Sequence, residues 1–241
     1  MKIINAKGKR VFVIGDLHIP YMHKDAFAYC LAVKKKYKPD IVISIGDEVD
    51  GHGISFHQTD SSLFSPGNEL EKAIDLIHMK NGLHEMFPNL ILLESNHGSL
   101  HLRKAKANGI PLHYMKSYGD VYGTPNWSWH DEIILKTNIG PVYLTHGKTG
   151  MYNKMSKEVG MHAIQGHYHS KFEVTWTKTA LSERFNALTG CLIDQKSLAF
   201  AYSKTNLPVA LLGSIVVSKE GYPRLIKMQT KKNNRWIGEL P

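Results

Sequence analysis

Three short apolar runs, residues 11–15, 41–45 and 90–93, each lead straight into polar residues suited to holding a cation. The first gives Gly15-Asp16-Leu17-His18, the second Gly46-Asp47-Glu48-Val49-Asp50 and the third Ser95-Asn96-His97. The first two runs, ended by Gly-Asp, read as buried strands, and the third as a further strand. The segments between them have helical spacing. Residues 24–37 carry apolar side chains at 27, 28, 31 and 32, with Lys34, Lys35 and Lys36 where cations suit the end of a helix, and Pro39 stops it. Residues 69–86 predict one amphipathic helix ended before Pro88. The first 97 residues therefore read β-α-β-α-β, which means parallel strands with right-handed crossovers.

Beyond residue 97 the pattern changes. Residues 127–135 and 142–145 flank Asn138-Ile139-Gly140 as a hairpin-like pair, and 154–161 predict a short helix. Residues 163–165, 172–177, 185–189, 209–217 and 225–228 predict a series of strands, so the second half reads as largely antiparallel. Residues 51–67 and 98–124 lack clear periodicity and read as long irregular loops, which in compact domains often carry function.

Two later strands also end in ligand chemistry, at Thr145-His146-Gly147 and Gly166-His167-Tyr168-His169. Ligands in open α/β sheets bind beyond the carboxyl ends of strands, so five loops leaving one edge predict one crevice. Carboxylate, imidazole and amide oxygen together suit borderline-hard divalent ions. Fourteen histidines in 241 residues make a metal search worthwhile. Singly, each residue has an ordinary explanation: Asp16 and Asp47 as turn caps, Asn96 and His97 as turn residues, and His146, His167 and His169 as satisfied loop histidines. His52 and His57 follow Asp50 closely enough to approach a substrate, whereas His101, His113, His130 and His162 read as surface or core residues.

The order of these five pieces resembles the calcineurin-like metallophosphoesterases: D-x-H, G-D-x-x-D, G-N-H-[D/E], a lone His before Gly, and G-H-x-H, over residues 10–170. The chain departs from that pattern at Ser95, where glycine is usual, and at Gly98, where an acidic residue is usual. It also has Gly51-His52 in place of the Arg-Gly of the protein serine/threonine phosphatases. The resemblance implies a four-layer αββα sandwich with two mixed β-sheets and a metal site at strand C-terminal ends. It implies two divalent ions, manganese first with iron, zinc or nickel as alternatives. One would be held by Asp16, His18, Asp47 and His169, and the other by Asp47, Asn96, His146 and His167. A shared hydroxide would attack phosphorus, with His97 assisting as acid or transition-state stabiliser and Asp50 orienting His97.

Charge bears on the substrate. The chain carries +9, and its last 24 residues hold six Lys/Arg against two Glu. A basic excess suits a polyanion. Lys34, Lys35, Lys36 and Lys38, then Arg103, Lys104 and Lys106, and a basic tail over 229–241 with Trp236 beside Arg235 are the candidate contacts. Tyr114, Tyr118, Tyr122, Trp127 and Trp129 could stack on bases, although Trp127 and Trp129 alternate as core residues would. Three readings stay open: a phosphodiesterase or nuclease acting on nucleic acid or nucleotides, a phosphomonoesterase, and a non-catalytic scaffold. No apolar run reaches the ~20 residues of a membrane span, no signal-peptide block follows the N-terminus, and Cys30 and Cys191 read as buried thiols. These features predict one cytoplasmic domain over 1–241, in the host cytoplasm if the chain is phage-encoded, with no membrane partner.

Overall fold

The computed structural model describes residues 1–56, 62–147, 150–194, 196–197 and 210–241. Among the described residues, twelve strands form two six-stranded sheets. They are β1 (Lys2–Asn5), β2 (Val11–Ile14), β3 (Ile41–Ser44), β4 (Ile91–Leu93), β5 (Ser128–His130), β6 (Ile133–Thr137), β7 (Gly140–Thr145), β8 (His162–Gln165), β9 (Phe172–Lys178), β10 (Glu183–Thr189), β11 (Gly213–Val217) and β12 (Pro223–Lys227). One sheet runs β1-β6-β7-β8-β10-β9 and the other β12-β11-β2-β3-β4-β5. Helices α1 (Ala26–Tyr37), α2 (Pro66–His78), α3 (Leu83–Met86), α4 (Leu100–Ala107), α5 (Tyr118–Tyr122) and α6 (Met155–Glu158) flank them.

The period of two along each strand decides the layering. Val11 and Val13 of β2, Ile43 of β3 and Ile215 and Val217 of β11 face Ile133, Leu135, Val142, Leu144 and Phe185 of the other sheet, in one core between the sheets. Phe12 and Ile14 point the opposite way, against Tyr29, Cys30 and Val33 of α1 and Ala73 and Ile77 of α2. Tyr143 and Ala163 do the same against Met155 of α6. Each fully buried Val, Ile or Phe contributes roughly 1.5–3 kcal/mol. The result is the four-layer αββα sandwich that the motif order implied. Cys30 and Cys191 are both buried and unbridged.

Several expectations change. The helix expected over 69–86 is two helices. Ser65 caps α2, its hydroxyl accepting from the Asn68 amide at 3.4 Å, with Pro66 in the first turn. The chain then breaks where Asn81 is left-handed at φ 58° and the space of a Cβ on Gly82 is filled by carbonyl oxygens 2.6–2.7 Å away. The run 127–135 is shared between the sheets: β5 pairs with β4, whereas β6 turns back onto β7. The second half is mixed, not largely antiparallel, because β7 pairs parallel with β8 and β8 with β10. Residues 98–124 hold α4 and α5, and β1, which periodicity did not mark, adds parallel to β6 as an edge strand. Within 209–217, the strand β11 starts at Gly213, and residue 209 lies outside the described residues.

Candidate metal centre

Five strands of both sheets release their chains toward one place. β2 delivers Asp16 and His18, β3 delivers Asp47 and Asp50, and β4 delivers Asn96 and His97. From the other sheet, β7 delivers His146 and β8 delivers His167 and His169. The glycines of the motifs are there because the loops touch. A Cβ on Gly166 would lie 2.5 Å from Asp16 Oδ1, and one on Gly46 would lie 2.7 Å from His146 Nδ1. Three of the site residues hold left-handed backbone, His18 at φ 52°, Asp47 at φ 48° and His167 at φ 67°. Such conformations cost of order 1–3 kcal/mol each and persist only where the surroundings enforce them.

The seven residues expected as ligands converge. Asp47 Oδ2 is 3.3 Å from His18 Nε2 and 3.2 Å from His146 Nε2, so one carboxylate oxygen faces both halves of the cluster. On one side His169 Nε2 lies 3.1 Å from His18 Nε2 and 3.3 Å from Asp16 Oδ2. On the other, Asn96 Oδ1 lies 2.8 Å from His146 Nε2 and 3.1 Å from His167 Nδ1. Among the described residues three groups could each hold a metal ion, and two of them share Asp47: Asp16, His18, Asp47 and His169, and Asp47, His146 and His167, with the Asn96 oxygen beside the second; the third is His18, Asp50 and His97. The residues fit such an ion. Donors bound at about 2.1 Å stand about 3.0–3.4 Å apart in octahedral or tetrahedral arrangement, close to the 2.8–3.3 Å of these pairs. The buried Oδ1 of Asp16 has no hydrogen-bond partner among the described residues.

Electrostatics agree with that fit. Burial opposes charge on Asp47, but His146, His97 and His18 hold it well below its ordinary value. Burial likewise opposes charge on His18, yet hydrogen bonds and attraction from Asp47 and Asp50 raise its pKa well above that of a normal imidazole. His146 is raised despite its burial by Asp47 and Asp16. Three buried carboxylates thus hold positive charge on their neighbours, a field that a divalent cation satisfies.

Asp50 is set behind this cluster. Its Oδ1 is hydrogen-bonded to His18 Nδ1 and lies 3.4 Å from His97 Nδ1, while its carbonyl oxygen is 2.5 Å from His97 Nδ1. It therefore orients His18 as well as His97. A carbonyl can only accept, so Nδ1 of His97 carries a proton and Nε2 is the nitrogen that titrates. The His97 amide donates to Asp47 Oδ1 at 3.1 Å. Burial depresses the His97 pKa, with Asp47 pulling against it.

Sequence reasoning missed two supporting acids. Glu69, on α2, accepts from the amides of His52 and Gly53 at 2.8 and 2.7 Å and so pins the chain leaving Asp50. Glu48 is buried beside Asp47 and accepts from Trp129 Nε1 at 2.9 Å. Burial raises its pKa to about 7. A Cβ on Gly98 would lie 3.9 Å from Glu48 Oε1, so a carboxylate stands near the position where the family pattern has an acidic residue.

A cleft of about 580 Å³ opens over the centre, lined by Asp47, Asn96, His97, His167 and His169 and by His52, Ser55, Phe56, Leu100 and Arg103. His52 and Arg103 thus reach it, while His57 lies outside the described residues. The other candidates pack elsewhere. His162 accepts from the Phe185 amide and stacks on that ring. His101 lies against Tyr118, and His113 is exposed beside Tyr114. His130 sits at the end of β5. Tyr118 stacks on Tyr122 and Trp129, Trp127 lies tilted against Trp129, and Tyr114 is exposed. In the basic tail, Arg235 forms a bidentate pair with Asp25, and Trp236 packs edge-on against Tyr29.

No protein-family model matches the chain, and no curated protein matches it. Solved structures similar in outline include the following three. Vacuolar protein sorting 29 of Cryptosporidium parvum aligns over 97% of this chain and 94% of its own at 14% identity and a TM-score of 0.46. Vps29 of Chaetomium thermophilum aligns over 97% and 93% at 11% identity and 0.48. Yfce, a phosphoesterase from E. coli, aligns over 95% and 96% at 12% identity and 0.47. The chemistry of this centre rests on its own residues. No helix among the described residues is long and apolar enough to cross a membrane.

Proposed function

We propose that this chain is a metal-dependent phosphoesterase of the calcineurin-like class, acting as a phosphodiesterase on nucleic acid or nucleotides. The observation that carries the proposal is Asp47: one oxygen faces two clusters of nitrogen and oxygen donors at bonding-edge distances. In this reading Asp16, His18, Asp47 and His169 hold one ion, and Asp47, Asn96, His146 and His167 hold the second. Two divalent ions at such a centre neutralise phosphoryl oxygens and acidify water enough for attack near neutral pH. Carboxylate, imidazole and amide oxygen make manganese the first ion to test, then iron, zinc and nickel.

The chain's own groups do the rest. His97, its Nδ1–H donating to the Asp50 carbonyl, presents Nε2 to the reacting phosphate, where its cationic form protonates the leaving oxygen or stabilises the transition state. Arg103 lines the cleft while its guanidinium donates to the Asn96 carbonyl at 2.5 Å, which sets a fixed cation beside the reacting phosphate. The charge of +9 favours a polyanionic substrate. The test is hydrolysis of bis-p-nitrophenyl phosphate and p-nitrophenyl phosphate by manganese-loaded protein. Hydrolysis abolished by a chelator and restored by metal is expected, with the diester preferred. Two bound ions with neither ester cleaved would overturn the proposal.

A further inference from the structure

The cleft has a wall that hydrolysis of a bare phosphodiester does not require. Phe56 lines it with a ring that is 52% exposed, unusual for a large apolar side chain beside a buried charged centre. Two cations from α4 sit against that ring, Lys104 Nζ at 4.3 Å and the Arg103 guanidinium carbon at 5.5 Å from its centroid. Arg103 in turn reaches Asn96 of the metal centre. Phe56 and Arg103 thus share one wall of the cleft, Arg103 joins that wall to the metal centre, and Lys104 adds a second cation against the ring. Cation–π contacts hold the ring in place, and a ring held in place is a stacking platform.

Resting on the phosphodiesterase reading, we infer that Phe56 is the platform for the nucleobase next to the scissile phosphate, with Arg103 and Lys104 holding the phosphates of that nucleotide. A π-face accepts any base, so the subsite selects nucleotides over other phosphodiesters without reading sequence. A paired base has no face to offer, so the substrate strand is unpaired at this position.

Two p-nitrophenyl diesters separate this from the parent reading: thymidine 5′-(p-nitrophenyl phosphate) and methyl p-nitrophenyl phosphate. Both release the same leaving group, and they differ only in the nucleoside. The manganese-loaded full chain should favour the nucleoside ester in kcat/KM by about fivefold to a hundredfold, the range that base–aromatic stacking gives. Phe56→Leu keeps the bulk but removes the π-face and should bring that ratio close to one, while Phe56→Tyr should restore it. Lys104→Gln should lower the ratio less than Phe56→Leu. A wild-type ratio near one, with both esters cleaved, would overturn the subsite and leave the phosphodiesterase standing. A high ratio unchanged in Phe56→Leu would also overturn it, because the base would then be seated elsewhere. Cleavage of neither ester would count against the parent reading itself.

Discussion

Asp47 faces both donor groups with one carboxylate oxygen, and its left-handed backbone leaves it little freedom to be replaced. Asp47→Ala is expected to lose bound metal as well as turnover, by at least ~10³-fold in the rate, since both donor groups share its oxygen. Metal content per chain and hydrolysis rate check this together; two retained ions with normal turnover would remove Asp47 from its role. His97 makes the opposite prediction. His97→Ala should lower kcat by about 10²–10⁴-fold with the metal content unchanged. The loss should shrink for esters whose leaving group needs no proton, so the comparison is between an alkyl and a p-nitrophenyl ester.

The strand ends were the part of the site open to sequence reading, because each short apolar run fixes where the following Gly-Asp, Asn-His or Gly-His must emerge. The supporting acids were hidden for the same reason in reverse. Glu69 sits in a helix whose spacing reads as a solvated face, and only the fold shows it capping the amides of His52 and Gly53. Helix α4, LHLRKAKA, is too short and too basic to show a periodic apolar face. In the second half the strand order was equally unreadable, since a parallel and an antiparallel neighbour present the same alternation, whereas the helices between β2, β3 and β4 gave their parallel pairing away. At this scale Tyr29 offers a clean test. Its hydroxyl donates to the Ile226 carbonyl at 2.6 Å and lies 2.6 Å from Ser214 Oγ, tying α1 to the sheet beneath it. Tyr29→Phe should cost about 1–3 kcal/mol in urea unfolding, the penalty for buried partners left unsatisfied, with turnover unchanged.

Across the whole molecule, the basic tail is an arm laid over α1. Arg235 grips Asp25, the Trp236 amide donates to the same carboxylate at 2.8 Å, and the Asn234 carbonyl is 2.8 Å from His23 Nε2. The Arg235 hydrogen bonds pull the Asp25 carboxyl from 3.8 to about 2. A depressed carboxyl stabilises the fold above its unfolded pKa and loses that contribution as pH falls through the folded one. Wild type should therefore melt above Asp25→Asn at pH 7, and the gap should close between about pH 4 and 2. An equal gap at pH 7 and pH 2.5 would detach the arm's stability from this pair.

The donor set is also divided between layers. Asp16, His18, Asp47 and Asn96 leave one sheet, and His146, His167 and His169 leave the other. A cation held by both sets is a rivet through the seam of the sandwich, placed at the rim where the apolar filling ends. Folding and metal uptake then become one equilibrium: prising the sheets apart breaks the donor set, and loading the donors closes the sheets. At a free metal concentration a thousand times its Kd, one such rivet adds about 4 kcal/mol. Chelation should accordingly lower the melting temperature. Amide exchange should quicken on both sides of the seam together, in β2 and β3 and equally in β7 and β8. Quickening in only one of the two sheets would mean that the ions bind a single layer.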